Sequence, residues 1–593
     1  MASDPFVTAD HRVPDEYLPV DRRTIVICVL SILIALGAGL VSRILVALIG
    51  LITNIAFFQR ISFSFVSPVD AHVGAWVLVI PVIGALIIGV MARYGSAAIR
   101  GHGIPEVMEK VLYGESRIPA RVMILKPISA AVAIGTGGPF GAEGPIIATG
   151  GAIGSLVGQH IPMSSDERKV LLAAGAAAGM SATFGSPVSA VLLAIELLLF
   201  EYRPRSIIPV ALASATAAAV RIAFEGTGAV FAVPLFAQPN GKALAVYALL
   251  GAVIGVLAAG ISRFTYRIED LFERLPVHWM WWPALGAMVV GICGFIEPRI
   301  LGVGYVNIEE ILAGDIAGRA LVVLVVLKLL AWSFYLGSGT SGGTLAPLFT
   351  IGGGIGALAG AGLSRLAPSL GLDARMAALV GMAATFAGAS HALLASIVFA
   401  FETTRQPVGL LPLLAGCTAG YLAALLWSRH SIMTEKLARR GTAVRTEYQA
   451  DHLAHVLARD AASRQVVALD ADELVGAVLD RLDTGAATSH QGFPVLDSDG
   501  LLVGVVTRRD LFAGDGTQTV RTIIRRPPAV VYGDNTLRDA ADLMVTEGVG
   551  RLPVVERSTP RRVIGIISRS DLLAAHAPRL AASRRDRHLS TRK

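Results

Sequence analysis

The chain has 593 residues, 54% of them hydrophobic, a mean hydropathy of +0.63 and a formal net charge of +7. It is too long for one ordinary domain and too apolar to be soluble throughout, which leaves a polytopic membrane protein embedded in a lipid bilayer. The basic excess flanks apolar runs and fills the tail "RLAASRRDRHLSTRK", a pattern of membrane orientation that predicts no nucleic-acid partner.

In chain order, residues 1–22 are a polar, acidic segment with no cleavable signal core before Ile25. Arg22 and Arg23 precede the first apolar run and "LARRGTAVRTEY" follows the last, so both termini are expected in the cytoplasm of a multi-pass protein of a bacterial-type inner or plasma membrane. Apolar segments begin near Ile25, Val73, Val122, Val170, Val188, Ile207, Leu244, Trp282, Leu321, Leu345, Met376, Leu393 and Leu410. Several fall short of the roughly 20 residues that span a bilayer, or are interrupted by Gly or Pro, so tilted, broken or re-entrant helices are expected. The membrane domain covers 23–441, with a linker over 442–454. Cys28, Cys293 and Cys417 all lie in apolar segments and read as core residues rather than a disulfide framework. There is no HExxH, GxSxG or Walker loop, and the glycines around Gly354 lack the strand and the acidic residue of a dinucleotide site, so no enzyme is expected.

The membrane domain repeats itself. "GAEGPIIATGGAIGSLVG" (141–158) aligns without a gap on "GTLAPLFTIGGGIGALAG" (343–360), and Glu196 and Pro209 find counterparts in Glu402 and Pro412. Two halves, roughly 23–222 and 242–428, are therefore expected as inverted repeats meeting at a midplane site. Pro145 and Pro347 suit the first turn of a helix, and two glycine-rich helix starts converging make a site for an anion. The later glycines of each motif suit close helix packing. Glu143 does not fit that reading, because a carboxylate inside the membrane is costly and is a functional candidate by default.

These residues resemble the CLC family of chloride channels and proton-coupled chloride transporters, through "GHGIPEV" (101–107), "GAEGP" (141–145), "AAGAAAGMSATFGSPVSAVLLAIEL" (173–197), "GTLAP" (343–347), "FETT" (401–404) and "SIMTEKLARRG" (431–441). The resemblance implies a homodimer with one anion path per subunit. It makes Glu143 the gating carboxylate, which occupies an anion site when the path is closed. It places His102, Gly103, Ile104, Ala142, Gly144, Thr344, Leu345, Ala346 and Met433 along the path of chloride or another small anion. Four positions depart from the family pattern: His102 stands for a serine, Met433 for a tyrosine, Leu345 for a phenylalanine, and Leu197 where proton-transporting members often have a glutamate. Glu106 reads as a cap of the helix after it, and Glu196 and Glu402 as structural. With no ionisable group at 197 and no hydroxyl at 433, the sequence favours a voltage-gated-type channel. Proton-coupled antiport, with protons as second substrate, is the alternative.

A second duplication fills the tail: "GFPVLDSDGLLVGVVTRRDL" (492–511) parallels "RLPVVERSTPRRVIGIISRSDL" (551–572). This resembles a tandem pair of CBS domains, 455–513 and 520–577, before a basic tail at 578–593. In that family Thr507, Asp510, Ser568 and Asp571 could hold an adenine nucleotide, although hydroxyl and carboxylate three residues apart suit a helix cap equally. Transport itself calls for no cofactor. The fold expected is mainly α, CLC-type, with a cytoplasmic α/β CBS pair. A membrane-anchored nucleotide sensor is the competing function of another class, and it leaves the duplicated half-helices unexplained.

Overall fold

The computed structural model describes residues 6–8, 22–441, 452–484, 490–559 and 561–577. The expected basic tail, and most of the N-terminal segment and of the linker, lie outside the described residues. Two compact units form, one from Pro19–Tyr448 and one from Met1–Leu18 with Gln449–Lys593.

The membrane unit is helical. Its first half runs through α1 (Arg22–Phe58), α2 (Ile80–Val90), α3 (Ile104–Tyr113), α4 (Ala120–Gly135), α5 (Glu143–His160), α6 (Ser165–Phe184), α7 (Pro187–Ala194) and α8 (Pro204–Glu225). The second half repeats the order as α9 (Gly241–Glu273), α10 (Trp282–Ile296), α11 (Tyr305–Ala313), α12 (Gly318–Gly337), α13 (Leu345–Leu366), α14 (Ala374–Ser390), α15 (Leu393–Thr404) and α16 (Leu410–Trp427), and α17 (Glu435–Arg439) closes the unit. Among the described residues, eight helices are long and apolar enough to cross a bilayer, and three apolar helices are shorter. The uneven lengths follow from local chemistry. Proline opens α7, α8 and α10 where no N–H acceptor is needed, and Gly185 in the left-handed region ends α6.

Glycine sets the helix crossings. A Cβ on Gly150 of α5 would strike the Gly175 carbonyl of α6, and one on Gly175 would strike the Gly150 carbonyl. Gly352 and Gly381 stand in the same relation between α13 and α14, and Gly251 and Gly255 of α9 abut Gly416 and Gly420 of α16. Such small-residue seams let backbones approach within a medium that supplies no hydrophobic drive between helices. The three cysteines are free.

Two glutamates join the halves. Glu402, at the end of α15, accepts from the backbone N–H of Val188 (3.0 Å) and Ser189 (2.8 Å) at the start of α7. Glu196, just past α7, accepts from Leu394 (2.9 Å) and Ala395 (3.0 Å) at the start of α15. Each repeat caps the other's short helix, satisfying N–H groups that the bilayer interior would leave unpaired. The structural reading of both residues therefore has a geometric basis.

The second unit opens with a strand at the amino terminus, β1 (Val7–Thr8), and continues with α18 (Ala458–Ala461), β2 (Leu469–Asp470), α19 (Val475–Thr484), β3 (Gly492–Leu496), β4 (Leu502–Thr507) and α20 (Arg508–Ala513). The next repeat supplies β5 (Ala529–Tyr532), α21 (Leu537–Thr546), β6 (Arg551–Val555), β7 (Val563–Ser568) and α22 (Arg569–Ala574). Its sheets have the orders β2-β3-β4 and β1-β5-β6-β7. In both repeats a parallel pair precedes an antiparallel hairpin, with a register shift at the equivalent places Val495/Leu496 and Val554/Val555. Strand β1 is absent from the sequence expectations, since two residues show no alternation.

Candidate functional site

Three helix starts meet in the membrane unit. The loop before α3 lies against α5, so that a Cβ on Gly144 would collide with the His102 carbonyl and one on Gly103 with the Gly144 carbonyl. The segments preceding α5 and α13 touch through Gly343 N–H donating to the Gly141 carbonyl at 3.0 Å. Gly101 N–H donates to the Thr340 carbonyl at 3.0 Å, tying the loop before α3 to the loop before α13. Each helix presents first-turn N–H groups that lack an intrahelical acceptor, and their dipoles add positive potential. Ala142 and Thr344 are the residues preceding α5 and α13, and neither makes a side-chain cap. Ala142, Gly144, Thr344, Leu345, Ala346, Gly103 and Ile104 are all buried at this junction.

Glu143 is fully buried at the first position of α5. Its Oε1 accepts from the Tyr305 hydroxyl at 3.0 Å, while Oε2 has no hydrogen-bond partner. A buried carboxylate oxygen without a partner is held at a cost. Other buried polar atoms outside hydrogen-bond geometry gather nearby: both ring nitrogens of His102 and the hydroxyls of Thr340 and Thr344, on the loops before α3 and α13, and the Tyr335 hydroxyl near the end of α12. Buried polar groups are usually satisfied, so this concentration marks a candidate site for a polar or charged guest.

Charge is supplied by a symmetric pair of lysines. Lys126 of α4 donates to the carbonyls of Ile99 and Gly101, both at 2.8 Å, and Lys328 of α12 donates to those of Ile300 (2.9 Å) and Gly302 (3.3 Å). They clamp the loops "GHG" (101–103) and "GVG" (302–304) that lead into α3 and α11. An open cavity of about 440 Å³ reaches Ala142 and Tyr305 beside Glu143, and Arg43, Arg221 and Glu225 line it.

Not every expected residue keeps a free group. The Gly103 N–H is taken by Glu106 Oε2 at 2.8 Å, as a helix cap, and Lys436 pairs with Glu106 Oε1 at 3.3 Å. Met433 is fully buried, and its N–H donates to Ser431 Oγ at 3.2 Å, so this amide is not free for an anion. Leu197 is buried in the apolar core. Sequence reasoning missed Tyr305 and the two lysines. The signal was present, since "GVGYVN" (302–307) is the repeat mate of "GHGIPE" (101–106), but the proline and the glutamate that mark the first copy are absent from the second.

In the second unit, Thr507 and Asp510 line a cavity of about 380 Å³ between the two repeats, together with Arg525, Arg526 and Arg551. Ser568 and Asp571 are not among its lining residues. Both hydroxyl–carboxylate pairs form helix caps: Asp510 Oδ2 accepts from the Thr507 hydroxyl (2.5 Å) and amide (2.9 Å), and Asp571 Oδ2 from the Ser568 hydroxyl (2.6 Å) and amide (2.7 Å). Burial pushes the Asp510 carboxyl up, but the Thr507 bonds and the charges of Arg525 and Arg509 outweigh it and hold the group below its ordinary value. A depressed carboxyl adds stability above its unfolded value, near pH 4, and loses it as pH falls through the lower folded value. Thr507→Ala is therefore expected to shrink the stability that this unit loses on acidification below about pH 4, read as the pH dependence of its thermal midpoint. An unchanged acid profile would contradict this assignment.

A family model described as voltage gated chloride channel matches residues 83–425, and a CBS domain model matches twice, at 458–514 and 520–577. The putative chloride channel protein ClcB-like of Ralstonia nicotianae is 29% identical over 366 residues, spanning 61% of this chain and 85% of that protein. The H(+)/Cl(-) exchange transporter ClcA of Yersinia pestis is 30% identical over 349 residues, 57% of this chain and 72% of its own length. Among solved structures, a slow cyanobacterial Cl-/H+ antiporter superposes with a TM-score of 0.64 at 22% identity, covering 71% of this chain and 98% of that one, a likeness of fold.

Proposed function

The chain belongs to the voltage-gated chloride channel (CLC) family, whose model matches more than half of its length, and from that premise we propose that it exchanges chloride for protons across the membrane, with Glu143 serving both ions in turn. The observation that carries the reading is the buried Glu143 carboxylate at the start of α5, with one oxygen on Tyr305 and the other unpartnered. Deprotonated, it competes with chloride for the helix N-termini. Protonated or displaced, it yields the site. Chloride is then met by α5 and α13 start residues Ala142, Gly144, Thr344, Leu345 and Ala346, with the His102 imidazole beside them.

The weighting toward a channel drawn from Leu197 and Met433 is reversed. Exchange is supported by the exchanger among the relatives and by the fully buried state of Glu143 and Met433 together. A channel conducts through a path open at both constrictions, whereas an exchanger passes through states closed at both. The missing glutamate at 197 removes one proton carrier and leaves water free to relay protons. Chloride, rather than another small anion, is the substrate class of the named relatives. The test is the reversal potential of reconstituted protein under a pH gradient at fixed chloride gradient. It is expected to move with the proton gradient, and a potential pinned at the chloride equilibrium value would restore the channel.

The protein functions as a homodimer with one path per subunit and with both termini cytoplasmic, an orientation supported by Arg22 and Arg23. The CBS pair is regulatory. Its arginine-lined cavity fits the phosphates of an adenine nucleotide, with Asp510 left to meet a ribose through Oδ1, which Arg525 approaches at 3.8 Å. That nucleotide would act as a regulator, and the transport step does not use it.

A further inference from the structure

The amino terminus is built into the CBS pair. Val7–Thr8 pairs in parallel with Ala529–Val530, and the Val7 N–H donates to the Pro528 carbonyl at 3.2 Å. Phe6 is buried, in a cluster with Leu496 and Leu502 of the first CBS repeat and Val530, Tyr532, Val555 and Val563 of the second. The Arg561 guanidinium lies over the Phe6 ring, 5.9 Å from its centroid, and Leu502 N–H donates to the Arg561 carbonyl at 2.8 Å. Thr8 is fully buried at the sheet edge. One aromatic side chain thus fills the seam between the repeats, and one strand covers an edge that would otherwise expose unpaired N–H and C=O groups.

We infer that residues 6–8 are a docked latch that joins the two CBS repeats. The sequence makes the latch a second covalent connection. The membrane domain is inserted between β1 and the rest of the CBS unit, tied at α1 through residues 9–21 and at α17 through the segment after Gly441. The strand sits on residues that also line the arginine cavity, Pro528 and Ala529. A shift in that lining is therefore felt by the latch strand itself. The latch does not depend on which ion the membrane domain carries.

Its seating is read in the full-length protein in two ways. Hydrogen exchange is expected to be slow at Val7–Thr8 and at Ala529–Tyr532, and to rise at least about tenfold at both segments in Phe6→Asp, because local opening sets the exchange rate. Val7→Pro, which removes only the N–H to Pro528, is expected to unseat the same segment with Phe6 still present. Registered neighbours on adjacent strands lie about 4.8 Å apart, within the roughly 4.4–6.8 Å Cα range of a disulfide. Val7→Cys combined with Ala529→Cys is therefore expected to cross-link on oxidation. If the chain is then cut at a protease site inserted after Gly441, the two fragments stay together on a non-reducing gel, while Val7→Cys alone lets them separate. Free-chain exchange at Val7–Thr8 in the wild type, or fragments that separate in the oxidised double variant, would overturn the latch.

Discussion

Replacing Glu143 by alanine is expected to leave chloride moving at or above the wild-type rate at neutral pH, to flatten the pH dependence of flux, and to uncouple it from protons. The other carboxylate at the junction of α3, α5 and α13, Glu106, is held by the Gly103 N–H and by Lys436, whereas Glu143 Oε2 makes no hydrogen bond and is free to exchange places with an anion. Its removal leaves the helix N-termini intact, so the anion site survives while its competitor and its proton carrier disappear together. The measurement is the reversal potential across a pH gradient, which should collapse onto the chloride equilibrium value in Glu143→Ala. Tyr305→Phe is the companion variant. It removes the hydroxyl 3.0 Å from Oε1 but keeps the carboxylate, so proton coupling should persist. Proton coupling retained in Glu143→Ala would mean that another group carries the proton, and the gate assignment would fall.

The second large effect belongs to the fold. Gly175→Val is expected to abolish recovery of monodisperse protein, because its Cβ has to displace the Gly150 backbone carbonyl rather than a side chain that can turn away. Overpacking a core with movable neighbours costs typically 1–3 kcal/mol, and a backbone-on-backbone seam offers no such escape. Gly362→Ala in α13 is the control. Nothing lies within 4 Å of the added Cβ, and the exchange should be neutral or stabilising by about 0.5–1 kcal/mol. Equal yields and equal thermal midpoints for the two variants would show that the seam does not govern folding.

What could be read in the residues, and what could not, divides along physical lines. The two halves and Glu143 were legible because a gapless glycine pattern and a charge in an apolar run are both improbable without a cause. Tyr305 was not, because its relation to Glu143 spans 162 residues and rests on one hydroxyl in a motif whose copy has lost its proline. The cap role of Glu106 followed from its position three residues after Gly103. The amide of Met433 could not be assigned, since its acceptor, Ser431, is local geometry rather than pattern. Leu197 was read for what it lacks, and a missing side chain says little about water. Strand β1 escaped because periodicity needs more than two residues to appear.

The crossed glutamate caps carry a consequence for synthesis. Val188 and Ser189 leave the ribosome long before Glu402, which lies 214 and 213 residues further on. At typical translation rates of about 5–20 residues per second, that interval is on the order of ten to forty seconds. Until it ends, the amino-terminal half resides in the bilayer with the start of α7 uncapped, and the cap it offers through Glu196 has nothing to bind. A nascent chain stalled between the halves is thus an unfinished folding unit, and both of its crossed caps close only on the arrival of α15.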